Sequence, residues 1–268
     1  MSEISIAQQK FLLSQKKHRH IVTGSRLFLF LLFLALWEGA AQTGAIDPFI
    51  FSSPTKVLLC AYGMALDHSL FSHIGVTLFE TVASFALVLL VTLAITILLW
   101  FHKRLSETLE PYLVILNSLP KSALAPLLIV WLGANYKTII ITGMSVAIFG
   151  SVLSLYTSFQ AVDPEKIKLI YTLGGKKYHA LTKVILPSSI PALFSILKVN
   201  IGLCLVGVII GEFIASRQGL GYLIIYGSQV FKLDWVIMSI VILCILAYGL
   251  YSLLSKMERL ALSRTQGA

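Results

Sequence analysis

Charged residues are scarce in this chain of 268 residues: they make up 12% of it, whereas a soluble domain carries about a quarter. Hydrophobic residues make up 57%, and the mean hydropathy is +0.87. This composition excludes an ordinary soluble domain and predicts an all-α protein that crosses a membrane several times. We therefore interpret the net charge of +9 as a property of the loops and not as a nucleic-acid-binding surface.

Cysteine is also rare, with only Cys60, Cys204 and Cys244 present. Their spacing fits neither a metal site nor a disulfide framework. All three lie in or beside apolar runs, which favours a packing role for each.

Motifs for catalysis and nucleotide binding are missing. The sequence has no G-x-x-x-x-G-K-[ST], and the lysine pair after Gly174 and Gly175 lacks the required spacing, so we expect no ATP site of the P-loop type. It also has no H-E-x-x-H, no Cys/His cluster and no nucleophile elbow. We therefore predict no catalytic residue, no metal ligand and no cofactor bound by this chain.

No internal repeat or low-complexity tract is present, which indicates one membrane domain. We expect a cytoplasmic tail at 1–26, a transmembrane domain at 27–258 and a second cytoplasmic tail at 259–268. The first apolar run, 27–41, is short and ends near small residues, as a cleaved signal peptide does. The long basic leader and Glu38 favour an uncleaved first span instead.

Six membrane spans are predicted, at roughly 25–42, 75–100, 109–132, 137–159, 189–212 and 234–255. The loop at 43–74 is long and is expected to lie along the surface.

The loops on the two sides carry unequal positive charge. One side has fifteen basic residues: Lys10, Lys16, Lys17, Arg19, Arg26, Lys103, Arg104, Lys166, Lys168, Lys176, Lys177, Lys183, Lys256, Arg259 and Arg264. The other side has four: Lys56, Lys137, Arg217 and Lys232. Because basic residues accumulate in cytoplasmic loops, we expect both termini and the loop at 163–187 in the cytoplasm.

The polar, basic segment 163–191 interrupts the apolar runs. Asp163 and Pro164 predict the start of a helix, and Gly174 with Gly175 predicts its end. A second short helix should follow and stop at two prolines before the next span. It should place one set of side chains on one face (Tyr178, Leu181 and Ile185) and two lysines on another (Lys176 and Lys183). Such a segment suits docking to another protein, and a solvated loop at the lipid headgroups is the alternative.

Prolines distinguish the third span. Pro120 and Pro126 should distort the helix, directly after Asn117 and Ser118. Within a membrane, a broken helix is tolerated where protein or water satisfies its carbonyl groups, and broken helices often line substrate paths. A simple kink is the alternative.

Few polar residues lie inside the spans. Glu38 and Glu80 are interpreted as structural acids, with a path-lining role as the alternative. Glu212 follows Gly207 and Gly211, a pair that permits close helix packing, and Asn200 lies on the same span. Asn200 and Glu212 join Asn117, Ser118 and Pro120 as candidates for the path, with core packing as the alternative.

Three stretches resemble ABC-importer permeases, and specifically the nitrate/sulfonate/taurine branch. GGKKYHALTKVILPSSIPALF (174–194) is similar to the cytoplasmic signature, with Gly174 at its glycine and Leu186-Pro187 at its L-P. SLPKSALAPLLIVWLG (118–133) is similar to the third span of that branch, and GVIIGEFIASRQGLGYLI (207–224) to its segment around a glutamate. The resemblance covers about residues 75–255.

Two departures from the family pattern stand out. The E-A-A positions of the signature hold Lys168, Leu169 and Ile170, so the acidic residue that often meets the ATPase is missing. Glu80 stands where the branch usually has arginine, which reverses a charge that we expect in the cytoplasmic half of the second span.

The resemblance implies a fold of the type I ABC-importer kind, used as a homodimer in the bacterial inner membrane. Separate subunits would bind ATP and Mg²⁺, and an extracytoplasmic binding protein would deliver a small organic or inorganic anion or a vitamin precursor. Residues 165–178 would couple the chain to the ATPase, through Tyr171, Thr172, Leu173, Gly174, Gly175, Lys176 and Tyr178. An ion-coupled carrier or channel, or a docking subunit without transport, is the alternative.

Overall fold

The structure is a computed structural model that describes residues 6–266, so the first five and last two residues of the expected tails lie outside it. The described chain is built from helices: α1 (Ile6–Gln42), α2 (Pro54–Leu66), α3 (Ser69–Phe101), α4 (Lys103–Ser118), α5 (Leu124–Leu132), α6 (Tyr136–Gln160), α7 (Pro164–Thr172), α8 (Lys177–Ala180), α9 (Leu186–Ala215), α10 (Leu220–Gln229) and α11 (Leu233–Gln266). Five of them are long and apolar enough to cross a membrane alone, and α4 with α5 supplies a sixth candidate span. The all-α prediction is confirmed, and the described residues contain five to six candidate spans, six if the bent pair α4 and α5 counts as one.

The first compact unit ends at Gly63 and contains α1 and the start of α2. Glu38, near the end of α1, accepts the Thr55 N–H through Oε2 at 3.0 Å and the Gln42 amide through Oε1 at 2.9 Å. Because Thr55 lies in the first turn of α2, the Glu38 carboxylate caps a helix N-terminus. This contact supports the interpretation of Glu38 as a structural acid.

The second compact unit begins at Met64 and is built around α3, α6 and α9, which pack against one another. Its buried residues near the polar segment form one cluster: Leu155, Phe159, Val162, Leu181 and Ile185. Further from that segment, Val88, Ala147 and Cys204 pack together from the three helices. The buried Cys204 therefore has the packing role that its position predicts.

The α6–α9 contact depends on small residues. A Cβ atom on Gly207 would lie 2.8 Å from Gly143 Cα, and one on Gly211 would lie 3.2 Å from Ile139 Cα. Neither distance leaves room for a side chain, since the obstacle is the backbone of α6. The prediction that Gly207 and Gly211 permit close helix packing is confirmed.

The third predicted span is broken. α4 ends at Ser118, a single 3₁₀ turn covers Lys121–Ala123, and α5 continues at an angle of 82° to α4. The break falls at Pro120, which has no N–H to donate and whose ring obstructs the preceding turn. Pro126 lies in the first turn of α5, where a missing N–H costs nothing. The predicted distortion is therefore confirmed, and its position is Pro120.

The second helix of the polar segment does not stop at its prolines, so that prediction was wrong. α8 passes through a π-helical turn (Leu181–Ile185) into α9, which contains both Pro187 and Pro191. The Leu186 N–H donates to the Leu181 carbonyl, five residues back. Pro187 then occupies the first turn of α9, and a π-turn of this kind re-satisfies the carbonyls that a proline frees.

The predicted face of that helix is only partly correct. Leu181 and Ile185 are buried in the cluster named above, whereas Tyr178 is 63% exposed. The wider turn between Leu181 and Ile185 alters the angle between side chains on its two sides, which ordinary α-helical spacing does not anticipate.

Candidate functional site

Two of the predicted path residues, Asn117 and Asn200, meet at one cavity of about 410 Å³. Its walls come from α4, α6 and α9, and they are formed by Asn117, Gly150, Ser151, Ser154, Ser195, Ile196, Val199, Asn200 and Leu203. None of these nine residues is charged. The cavity therefore offers hydroxyl and amide groups together with aliphatic surface.

Asn117 reaches the cavity because α4 approaches α6 closely. A Cβ atom on Gly150 would lie 3.1 Å from Asn117 Oδ1. The same oxygen accepts a hydrogen bond from Lys121 Nζ at 3.2 Å, across the break at Pro120. A cationic group therefore lies next to one of the nine lining residues, although Lys121 itself does not line the cavity.

Asn200 is buried and ties α9 to α6. Its Oδ1 accepts the Ser151 hydroxyl at 2.8 Å, and Ser151 Oγ lies 2.6 Å from the Ala147 carbonyl oxygen. Ser151 has one proton for two acceptors, and rotation of the Asn200 amide would let its NH₂ group donate to Ser151 instead. Both the wall of the cavity and the contact between the two helices depend on this pair.

The other predicted path residues lie elsewhere. Ser118 bonds to the Val114 carbonyl at 2.9 Å, and Pro120 marks the break. Glu212 follows Asn200 by twelve residues on α9, which places it roughly 18 Å further along the helix. The structure therefore brings together Asn117 and Asn200 and separates Glu212 from them.

Glu212 is buried at the centre of a separate hydrogen-bonded site. Its Oε1 accepts the Thr77 hydroxyl at 2.7 Å, and its Oε2 accepts the Gly221 N–H at 2.6 Å. Thr77 Oγ1 also accepts the Leu220 N–H at 2.8 Å, and His73 Nδ1 accepts the Gly219 N–H at 3.0 Å. These bonds hold the first turn of α10 against α3 and α9.

Thr77 and His73 were not predicted as site residues. A sequence signal for Thr77 exists, since polar residues recur on α3 at helical spacing: Thr77, Glu80, Thr81 and Ser84, all buried. In an apolar span, such a stripe indicates a face that packs on protein. His73 precedes Thr77 by four residues, so the same helical spacing places it at the start of this stripe.

Glu80 lies on that stripe beside Glu212, and it borders a second cavity of about 870 Å³ whose wall also includes Asn135, Tyr136, Arg217 and Gln218. Glu80 and the polar segment were both expected toward the cytoplasm, but they lie at opposite ends of α3. Phe101, at the end of α3, contacts Lys177 of the polar segment, and Glu80 precedes Phe101 by roughly 31 Å of helix. Glu80 therefore lies in the half of α3 that is remote from the polar segment.

In the polar segment, Asp163 caps α7 by accepting the Glu165 N–H at 2.9 Å, as predicted. The helix ends in a Schellman motif: Gly175 N–H donates to the Ile170 carbonyl at 2.8 Å and Gly174 N–H to that of Tyr171 at 3.0 Å. Gly174 has φ = +77°, which favours glycine. Gly175 is favoured for a different reason: there is no room for a side chain, because a Cβ would collide with Ile170.

Large apolar side chains are exposed around this turn. Leu173 is 75% exposed, and Leu169, Tyr171 and Tyr178 are also open to the surroundings. Lysines flank them, and α7 has no buried residue. An exposed apolar group of this kind, with a polar rim, is typical of a surface that contacts another protein.

Residues 86–260 match the family described as the binding-protein-dependent transport system inner membrane component. A Haemophilus influenzae protein named "Probable ABC transporter permease protein" is 30% identical over 81% of this chain and 88% of its own length. A formylaminopyrimidine transport permease protein of Halalkalibacterium halodurans is 23% identical (87% and 92% covered), and a taurine transport system permease protein of Escherichia coli is 24% identical (84% of each).

The fold is similar to that of a solved structure of the MetNI methionine ABC transporter in an inward facing conformation. The TM-score is 0.63 at 18% identity, over 73% of this chain and 97% of that chain. At this identity the likeness concerns the arrangement of the helices alone.

Proposed function

The chain belongs to the family of binding-protein-dependent transport system inner membrane components and is the permease subunit of an ABC importer, and we propose that its solute passes the cavity at Asn117 and Asn200. The observation that carries this proposal is the meeting of two amides and three serines on an uncharged wall inside an apolar bundle. Weak polar contacts of this kind allow a solute to pass without being held.

The proposed solute is a small organic or inorganic anion or a vitamin precursor. The relatives named for taurine and formylaminopyrimidine transport support this range. Lys121 supports the anionic part of it, because its ammonium group lies 3.2 Å from Asn117 Oδ1 at the cavity wall. A cation at that position favours the passage of negative charge.

The segment 165–178 is the proposed contact with a separate ATP-hydrolysing subunit, which would bind ATP and Mg²⁺. Its support is the combination of exposed apolar side chains (Leu173 and Tyr178 among them) with a rigid turn at Gly174. Docking of the partner would cover this apolar surface. The distribution of lysines and arginines supports a cytoplasmic location for this segment and for both termini.

A second copy of the chain completes the proposed path. The cavity wall of one chain comes from α4, α6 and α9 alone. The neighbouring α5 exposes large apolar side chains, with Val130 at 81% and Trp131 at 68%. A second copy packed on this side would enclose the path, and a solute-binding protein would deliver the solute at the end remote from the coupling segment.

The test is reconstitution of the chain in proteoliposomes with its copurified ATPase and its binding protein. We expect uptake of at least one compound from a panel of taurine, an alkanesulfonate, nitrate and a pyrimidine, only with ATP and both partners present. Uptake by the chain alone would overturn the proposal in favour of a carrier. Absence of any copurifying ATPase would contradict the coupling role of 165–178.

A further inference from the structure

Two buried carboxyl groups lie side by side at the end of the bundle remote from the coupling segment. Glu80 on α3 is 2% exposed, and Glu212 on α9 is fully buried. Thr77, one helical turn before Glu80 on the same buried face of α3, donates to Glu212 Oε1 at 2.7 Å, so the Glu80 carboxyl group lies beside that of Glu212. Two negative charges at such a distance repel each other strongly away from water, so both cannot be ionised together.

The hydrogen-bond donors around the pair are unequally distributed. Both oxygens of Glu212 accept a donor, from Thr77 and from the Gly221 N–H. Glu80 Oε2 receives no donor from any residue between 6 and 266. Because donors stabilise a carboxylate and their absence favours the neutral acid, the negative charge belongs on Glu212 and the proton on Glu80.

We propose that neutral Glu80 donates a hydrogen bond to ionised Glu212, and that this pair with one proton positions the turn 216–221 for transport. Glu80 and Glu212 are positioning residues in this scheme and need not touch the solute. The inference goes beyond the proposed solute path and depends neither on the class of solute nor on the coupling segment.

The turn depends on the pair through main-chain groups. Gly221 donates directly to Glu212, and Leu220 donates to Thr77, whose hydroxyl donates to Glu212. These N–H groups belong to the first turn of α10, so the Glu212 carboxylate also faces the positive end of that helix. Ser216, Arg217 and Gln218, just before α10, border the 870 Å³ cavity together with Glu80. Displacement of the turn therefore changes the wall of that cavity.

Ionisation of Glu80 at high pH would place two negative charges in the pair and push the turn away. The other titratable groups that face this region are His73 on α3, Tyr222 on α10, which stacks on His73, Tyr136 on α6 and Arg217 in the turn. His73 accepts the Gly219 N–H through Nδ1. Protonation of that nitrogen would remove the bond, so His73 would affect transport at low pH and not at high pH. A loss of transport activity at high pH is therefore the effect expected from ionisation of Glu80.

The decisive comparison is between two substitutions that are chemically identical. In Glu80→Gln, the amide NH₂ group still donates to Glu212, so uptake should stay within about twofold of the wild type. In Glu212→Gln, the negative charge is lost and an NH₂ group meets the Thr77 or Gly221 donor, so uptake should fall by about tenfold or more. Glu110→Gln, on the exposed side of α4, is the matched control and should change nothing.

The experiment measures ATP-dependent uptake against pH by the complete transporter, for the wild type and the three variants. The alkaline loss of activity should be absent in Glu80→Gln and unchanged in Glu110→Gln. Infrared spectra of the purified chain should show the carbonyl band of a protonated carboxyl group, and Glu80→Gln should remove it. The infrared measurement needs no partner protein, so it remains decisive even if Glu212→Gln fails to fold or the solute proves to be of another class.

Three results would overturn the inference. They are equal losses of uptake in Glu80→Gln and Glu212→Gln, a loss of uptake at high pH that persists in Glu80→Gln, and an infrared band of a protonated carboxyl group that persists in Glu80→Gln. Equal losses would instead indicate two acids with the same role, such as ligands for a cationic group.

Discussion

Lys177 Nζ donates a hydrogen bond of 2.7 Å to the main-chain carbonyl oxygen of Phe101. The bond joins the first residue of α8 to the last residue of α3, and the ammonium group also lies 5.2 Å from the centre of the Trp100 ring. A carbonyl at a helix C-terminus lacks a partner within its helix, and a lysine there also complements the helix dipole. Lys177 therefore fastens the polar segment 163–191 to the end of α3.

Lys176 and Lys177 should behave differently although they are neighbours. Lys177→Met removes the bond to Phe101, so we expect a loss of about 1 kcal/mol in the free energy of unfolding. Lys176→Met should leave that free energy unchanged, because the main-chain N–H of Lys176 makes the bond to His179, at 2.9 Å. Since Lys176 belongs to the proposed docking surface, its variant should lower solute-stimulated ATP hydrolysis. Thermal unfolding in detergent and ATPase assays separate the two effects, and equal behaviour of the two variants would contradict the prediction.

Gly174 should be required for coupling and not for membrane insertion. Valine cannot easily adopt φ = +77°, so Gly174→Val should distort the Schellman turn and abolish solute-stimulated ATP hydrolysis, while the protein remains in the membrane. Asparagine tolerates the left-handed region, and no neighbouring atom lies within 4 Å of a Cβ placed there, so Gly174→Asn should retain most of the stimulation. Full stimulation in the valine variant, measured in reconstituted vesicles, would refute the requirement.

Gly207 and Gly202 lie on the same helix and provide a matched pair for the α6–α9 contact. A methyl group on Gly207 would meet Gly143 Cα at 2.8 Å, so Gly207→Ala should destabilise the fold by about 1–3 kcal/mol. Nothing lies within 4 Å of a Cβ on Gly202, and Gly202→Ala should be neutral or more stable by up to about 1 kcal/mol, because alanine favours helix. Unfolding of the purified chain in detergent is the measurement, and an equal loss in both variants would argue against a specific contact.

Asn117 tests the class of solute. Asn117→Asp places a carboxylate beside Lys121 and cancels the positive charge at the cavity wall, so uptake of an anion should fall by about tenfold. Asn117→Ser, which keeps a neutral polar group, should reduce uptake far less. The measurement is the uptake of the solute into proteoliposomes by each variant, relative to that of the wild type. If the aspartate variant transports as well as the serine variant does, the solute is not recognised as an anion at this point.

The sequence predicted the parts of the fold that depend on local patterns. The apolar runs located the spans, Asp163 and Gly174 located both ends of α7, and the pair Gly207 and Gly211 located a close helix contact. Each of these depends on residues near one another in the chain, where hydropathy, capping and the conformational range of glycine act directly.

The errors have equally specific causes. Pro187 was expected to end a helix, but a five-residue π-helical turn that ends two residues before it restores the hydrogen bonding, and no composition rule anticipates that turn. Glu80 was expected on the same side as the polar segment, but it lies at the other end of α3. Its position beside Glu212 depends on the packing of α3 against α9, which are far apart in the sequence. The meeting of Asn117 with Asn200 depends in the same way on the close approach of α4 to α6.

The continuity of α8, the π-turn and α9 has a mechanical consequence. Residues Lys177–Ala215 form one uninterrupted helical rod, roughly 58 Å long. Lys177, which bonds to Phe101, lies at one end of this helical stretch, and Glu212 lies within one turn of the other end. We therefore expect a displacement of Lys177 to be transmitted along this helix towards Glu212, and the π-helical turn at Leu181–Ile185 is where the helix is expected to bend most easily.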